Sequence, residues 1–172
     1  MYLWQEEILY LRNIEFWFAI RLEFPYSYKK KKKELERGIK ISAIFPVSAK
    51  KLYDSWLNSK THSAFTGTKA QIDSRNGSTF SVSNGYITGT NLILQPYGRI
   101  VQNWRTTEFP EGAPDSKLEV LFEKHNGGTK LTIIHTHLPN GDEKKYEKGW
   151  KEYYFKPMKL YFQKVKPSAK AN

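Results

Sequence analysis

Cysteine is absent from all 172 residues, which excludes a disulfide framework, a thiolate nucleophile and any zinc or iron–sulfur site built on Cys. Long hydrophobic runs are missing too. The most apolar stretch, Phe16-Trp17-Phe18-Ala19-Ile20, is bracketed by Arg12, Glu15, Arg21 and Glu23, whereas a spanning helix needs roughly 20 apolar residues. A secretory leader is disfavoured as well, because Glu6 and Glu7 stand where a basic start belongs and no small-residue cleavage site follows. No P-loop or G-x-G-x-x-G run is present to cradle a phosphate. The expectation is a single cytoplasmic domain without a bound cofactor.

Acidic residues are scarce: 17 Asp plus Glu face 28 Lys plus Arg, for a net charge of +11. The location of that charge matters more than its total. Nine lysines lie between Lys144 and Lys170, against only Glu147 and Glu152. No aromatic-interleaved RNA motif accompanies them, so nucleic acid is disfavoured and an acidic protein surface fits better. The composition divides the chain into an appendage at 1–38, flexible or partly helical, a domain at 39–163 and a basic tail at 164–172. Within the appendage, the run Lys29 to Lys33 resembles a juxtamembrane basic patch. A solvated, unattached segment is the simpler reading of it.

From Ile39 onward the pattern becomes short alternating segments. Ile39, Ile41 and Ala43 share one face of a strand over 39–45. Ser48 then caps a helix over about 49–58, followed by a second helical turn over 60–65 that ends at Gly67. Two Asn-Gly pairs, Asn76-Gly77 and Asn84-Gly85, predict tight two-residue hairpins and an antiparallel meander. Further strands follow over 99–106, 117–124 and 129–138. Asp142 is the expected cap of a long helix over 143–162, kinked at Pro157 and burying Tyr146, Trp150, Tyr153, Tyr154 and Met158. These elements pack economically as a two-layer α+β domain, a curved antiparallel sheet of six or seven strands gripping the long helix.

The chain resembles the activator of heat-shock protein 90 ATPase homologues, in the helix-grip superfamily that also holds START lipid-transfer and birch-pollen-allergen-like proteins. The resemblance is carried by an ordered string of motifs: Leu52-Tyr53, Ala64-Phe65-Thr66, Gly77 to Phe80, Gly85 to Gly89, Ile100-Val101, Trp104-Arg105 and Phe109-Pro110-Glu111-Gly112. It continues through Gly128-Thr129-Lys130-Leu131, Leu138-Pro139, Gly149-Trp150 and Tyr153-Tyr154-Phe155. It implies the order β-α-α-β-β-β-β-β-β-α and a cavity between sheet and helix that holds a small hydrophobic or amphipathic ligand. It also implies a chaperone as a possible partner. In the eukaryotic co-chaperones a separate N-terminal domain precedes this one, and residues 1–38 are too few to form it.

The expected cavity lining is Phe65, Phe80, Trp104, Phe122, Ile133, His135, His137, Trp150, Tyr154 and Met158. His135 and His137, two apart on a strand, would put both imidazoles on one face, as a two-point metal clip or an acid–base pair requires. No further ligand repeats that pattern, so structural or ligand-bonding histidines are the simpler reading and no metal is expected. Trp104 is expected on the core side and Arg105 on the surface. Lys145, Lys148, Lys151, Lys156 and Lys159 form the expected protein-interaction face, their simpler reading being a solvated helix side. No Ser-His-Asp or paired-carboxylate pattern stands out. The expected function is therefore non-enzymatic ligand binding. A co-chaperone-like interaction module is the first alternative, and a cyclase-like enzyme using His135 as acid or base the second.

Overall fold

The computed structural model describes residues 38–139 and 141–164. The expected N-terminal appendage up to residue 37 and the basic tail from residue 165 lie outside the described residues. The chain runs β1 (Ile39–Phe45), α1 (Ala49–Leu57), α2 (Ser59–Thr66), β2 (Gln71–Ile72), β3 (Thr79–Val82), β4 (Ile87–Gln95), β5 (Arg99–Thr106), β6 (Ser116–His125) and β7 (Gly128–Thr136). A C-terminal helix follows in three parts: α3 (Glu143–Trp150), a π-helical turn (Lys151–Phe155) and α4 (Lys156–Lys164). The seven strands form one antiparallel sheet in the order β1-β7-β6-β5-β4-β3-β2. This is the expected curved sheet with a helix in its grip. Among the described residues, no helix is long and apolar enough to cross a membrane.

Local chemistry sets the element boundaries. Ser48 Oγ accepts from the Lys51 amide at 3.2 Å, and Asn58 Oδ1 accepts from the Thr61 amide at 3.0 Å, so each helix opens on a side-chain cap. Gly67, at φ 74°, closes α2 in the left-handed conformation that a side chain would resist. Asp142 precedes α3 as expected, but its side chain makes no capping bond.

Neither Asn-Gly pair forms the two-residue hairpin its sequence predicts. Ile72 pairs with Phe80, leaving a wide loop in which only Gly77 has positive φ, at 79°. Asn76 instead turns its Oδ1 to the Leu94 amide at 2.9 Å. Val82 pairs with Ile87, and Ser83, Asn84 and Gly85 all sit in the left-handed region, at φ 55°, 57° and 92°.

The concave face of the sheet supplies Phe45, Ile100, Leu118, Val120, Leu131 and Ile133, all fully or almost fully buried. Phe45 meets Phe155 and Phe162 edge-on, with ring centroids 6.1 and 6.3 Å apart. In the C-terminal helix the expectation needs one correction. Tyr153, read as part of the buried face, is 73% exposed, whereas Tyr154 and Phe155 are buried. The π turn spends an extra residue, closed by the Lys156 amide donating to the Lys151 carbonyl, and so rotates the buried face by one position. Pro157 lies just after it, where the missing amide and the crowded ring are absorbed by the widened turn.

Candidate functional site

Tyr146, Trp150 and Tyr154 recur at helical spacing on the C-terminal helix, and each finds a polar partner, the first two on the sheet and Tyr154 on α2. The Trp150 indole can only donate, and it donates to His135 Nδ1 at 3.0 Å. The imidazole proton is therefore on Nε2, which donates to Ser116 Oγ at 2.7 Å, and Ser116 donates in turn to the Trp104 carbonyl at 2.6 Å. His135 is completely buried, and burial pushes its pKa down to about 3. His62 shows the opposite tautomer. Its Nδ1 donates to the Trp56 carbonyl at 2.8 Å, and Nε2 accepts from the Tyr154 hydroxyl at 3.4 Å. Burial lowers the His62 pKa to about 4 and raises that of Tyr154. Tyr146 reaches the Thr106 hydroxyl at 3.0 Å.

Beside these contacts lies a cleft of about 710 Å³, between the C-terminal helix, the β3–β4 turn and the end of β5. Of the ten residues expected to line a cavity, only Trp104, Trp150 and Tyr154 reach it. Phe65, Phe80, Phe122, Ile133, His135 and Met158 are instead packed into the core. His137 departs furthest from the expectation. It lies past the end of β7 at φ 60°, exposed, with Nδ1 3.1 Å from its neighbour's Thr136 hydroxyl. Strand alternation has ended by that point, so the two histidines do not share a face. Among the described residues, no three His, Cys, Asp or Glu side chains come close enough to hold a metal ion.

The polar side of the cleft holds residues that sequence reasoning missed. Glu108 is ion-paired with Lys145 and accepts from the Tyr86 hydroxyl at 2.9 Å. Lys145, followed by Tyr86, holds the Glu108 carboxyl below the usual carboxylate range. Thr68 and Ser83 hydroxyls meet at 3.2 Å on the opposite wall. The signal available was Glu108 itself, a charge immediately before the aromatic loop that closes β5. Gly149 also lines the cleft, and a Cβ added there would meet no atom within 4 Å. The arrangement offers an aromatic back wall, a hydroxyl-rich side and a charged lip. His135 does not serve it as a general base, because both nitrogens of the ring are engaged and the ring does not line the cleft.

The five lysines expected to face a partner divide into three groups. Lys145 and Lys148 border the cleft. Lys151 pairs with Glu147, and Lys156 with Glu152 at 3.2 Å, one helical turn apart. Lys159 lies with Lys151 and Lys156 on the helix side facing β1.

The profile of the family described as activator of Hsp90 ATPase homolog 1-like protein matches residues 46–163. An activator of 90 kDa heat shock protein ATPase homolog from Dictyostelium discoideum is 31% identical over 121 residues, covering 70% of this chain and 31% of that one. An uncharacterized protein of Schizosaccharomyces pombe is 29% identical over 69% of this chain and 35% of its own length. The chain thus spans about a third of the curated relatives it matches. Among solved structures, an HSP90 activator from Plasmodium falciparum superposes with a TM-score of 0.68 at 21% identity, over 74% of this chain and 96% of that one.

Proposed function

Because the chain belongs to the family of activator of Hsp90 ATPase homolog 1-like proteins, we propose that its domain is a non-enzymatic binding module that takes a small amphipathic molecule in the cleft beside the C-terminal helix. The observation that carries this reading is the cleft's volume of about 710 Å³ behind an aromatic wall of Trp104, Trp150 and Tyr154. Volumes of a few hundred cubic ångströms with few, placed polar groups are typical of small-molecule sites. The apolar part of a ligand would lie on the indoles, and its polar end would reach Lys148 or the Glu108–Lys145 pair.

Gly149 makes the reading testable. Gly149→Phe places a ring in open space at the cleft and removes the volume without a backbone clash. Titration of the full chain with anilinonaphthalene sulfonate is expected to give saturable fluorescence, lost in Gly149→Phe. Equal binding by a folded Gly149→Phe variant would sink the cleft as the site.

Kinship with the Dictyostelium activator of 90 kDa heat shock protein ATPase homolog favours a second reading, a co-chaperone-like contact with the 90 kDa heat-shock protein through the basic C-terminal helix. Such a contact would weaken with salt. Retention of the chaperone on the immobilised full chain at low but not high salt supports it, and no retention at low salt eliminates it.

A further inference from the structure

On its other side the C-terminal helix borders a second groove, of about 630 Å³, between itself and β1. Ile41, Phe155 and Leu160 form its floor, and Lys151, Lys156 and Lys159 stand along it. The π turn sets this row. The Lys156 amide closes its bond on the Lys151 carbonyl, so these two lysines, five apart, stand one turn above each other, with Lys159 in the next turn. Among the described residues, no acidic side chain lines the groove. Glu147 and Glu152 neutralise Lys151 and Lys156 only through exposed pairs along the helix, contacts weak enough to exchange for an incoming carboxylate. Lys159 makes no ion pair among the described residues.

The opposite wall is the edge of the sheet among the described residues. β1 ends the strand order, runs for seven residues and contains no proline, whereas the other edge strand, β2, has two residues. Leu160 on the helix is 56% exposed. An unpaired strand edge is a template for another strand, and lysines beside it select what approaches.

We infer that this groove takes an acidic, extended peptide segment of a partner protein. The segment adds to β1 as a further strand, seats an apolar side chain on Phe155 and Leu160, and places carboxylates on Lys156 and Lys159. This interaction is independent of the cleft, which lies on a different side of the helix.

The test uses the full chain and a fluorescein-labelled peptide of alternating glutamate and valine, with a lysine–valine peptide and a single-stranded oligothymidylate as comparators. Saturable anisotropy at low ionic strength is expected for the acidic peptide alone. Binding should fall roughly tenfold or more in Lys156→Glu/Lys159→Glu and stay unchanged in Lys144→Glu, an exposed control outside the groove. Amide exchange within Ile39–Phe45 should slow in the bound state, as strand addition requires. No binding, an equal loss in the Lys144→Glu control, unchanged β1 exchange, or tighter capture of the oligothymidylate would each overturn the inference.

Discussion

At the scale of single residues, two buried histidines tie acid sensitivity to the packing around the C-terminal helix, His135 from the sheet and His62 from α2. His135 and His62 are neutral in the folded chain, with pKa values lowered by burial to about 3 and about 4. In the unfolded chain both return to about 6.5. Below that value the unfolded state takes up protons that the folded state refuses, so stability is complete above pH 6.5 and falls as pH drops toward 4. The slope is at most about 1.4 kcal/mol per pH unit for each histidine. Urea titrations between pH 7 and 5, above the range where Glu108 and Asp73 take protons, should show it, and a flat profile there would contradict the assignment. Trp150→Phe removes the one donor to His135 Nδ1 and leaves a buried acceptor unpaired, which should cost about 1–3 kcal/mol. His135 as an inward residue was legible from strand alternation. His137 was not, because alternation says nothing about the residue at which a strand stops.

At the scale of elements, two glycines have opposite meanings. Gly149 lies inside α3, where a Cβ meets nothing, so Gly149→Ala should stabilise the chain by about 0.5–1 kcal/mol. Gly89 pairs with Phe80 and Trp104 across neighbouring strands, and a Cβ there would lie 2.0 Å from the Asn103 carbonyl oxygen and 2.5 Å from the Phe80 ring. Gly89→Ala should therefore lower the melting temperature while Gly149→Ala raises it, and a like sign for the two would contradict the contrast. The strands and both short helices were legible because periodicity and caps are local. The turn lengths after β2 and β3 were not, since cross-strand pairing decides them and an Asn-Gly pair supplies only the permitted φ angles. The π turn was equally hidden: one extra residue leaves Tyr153 and Tyr154 both at plausible helical spacing, and only the contacts of Tyr154 with Trp56 of α1 and His62 and Phe65 of α2 decide between them. The bulge between Asn91 and Ile93 escaped for a similar reason. Asn91 is fully buried, yet its partners, Gln102 and the Asp73 carbonyl, come from other strands and loops.

At the scale of the whole molecule, the space expected as an interior cavity is filled by rings, and the open volume beside the C-terminal helix lies in the cleft on one side and the groove on the other. The ordered motifs could point to a sheet around a helix. They could not show which aromatic residues fill the interior and which border the remainder, because that depends on the sum of side-chain volumes across distant elements. Phe162 tests how firmly the two layers are joined. It is fully buried and meets Phe45 of the sheet at 6.3 Å and Phe65 of α2 at 6.4 Å. Phe162→Ala should cost about 3–5 kcal/mol, a large share of the roughly 5–15 kcal/mol that holds a domain together. Helix and sheet share one hydrophobic cluster, so the loss should be felt by both at once. Near-ultraviolet and far-ultraviolet dichroism should then report a single, earlier transition. Loss of the aromatic signal while the strand and helix signal persisted would mean that the C-terminal helix undocks from a sheet that stands without it.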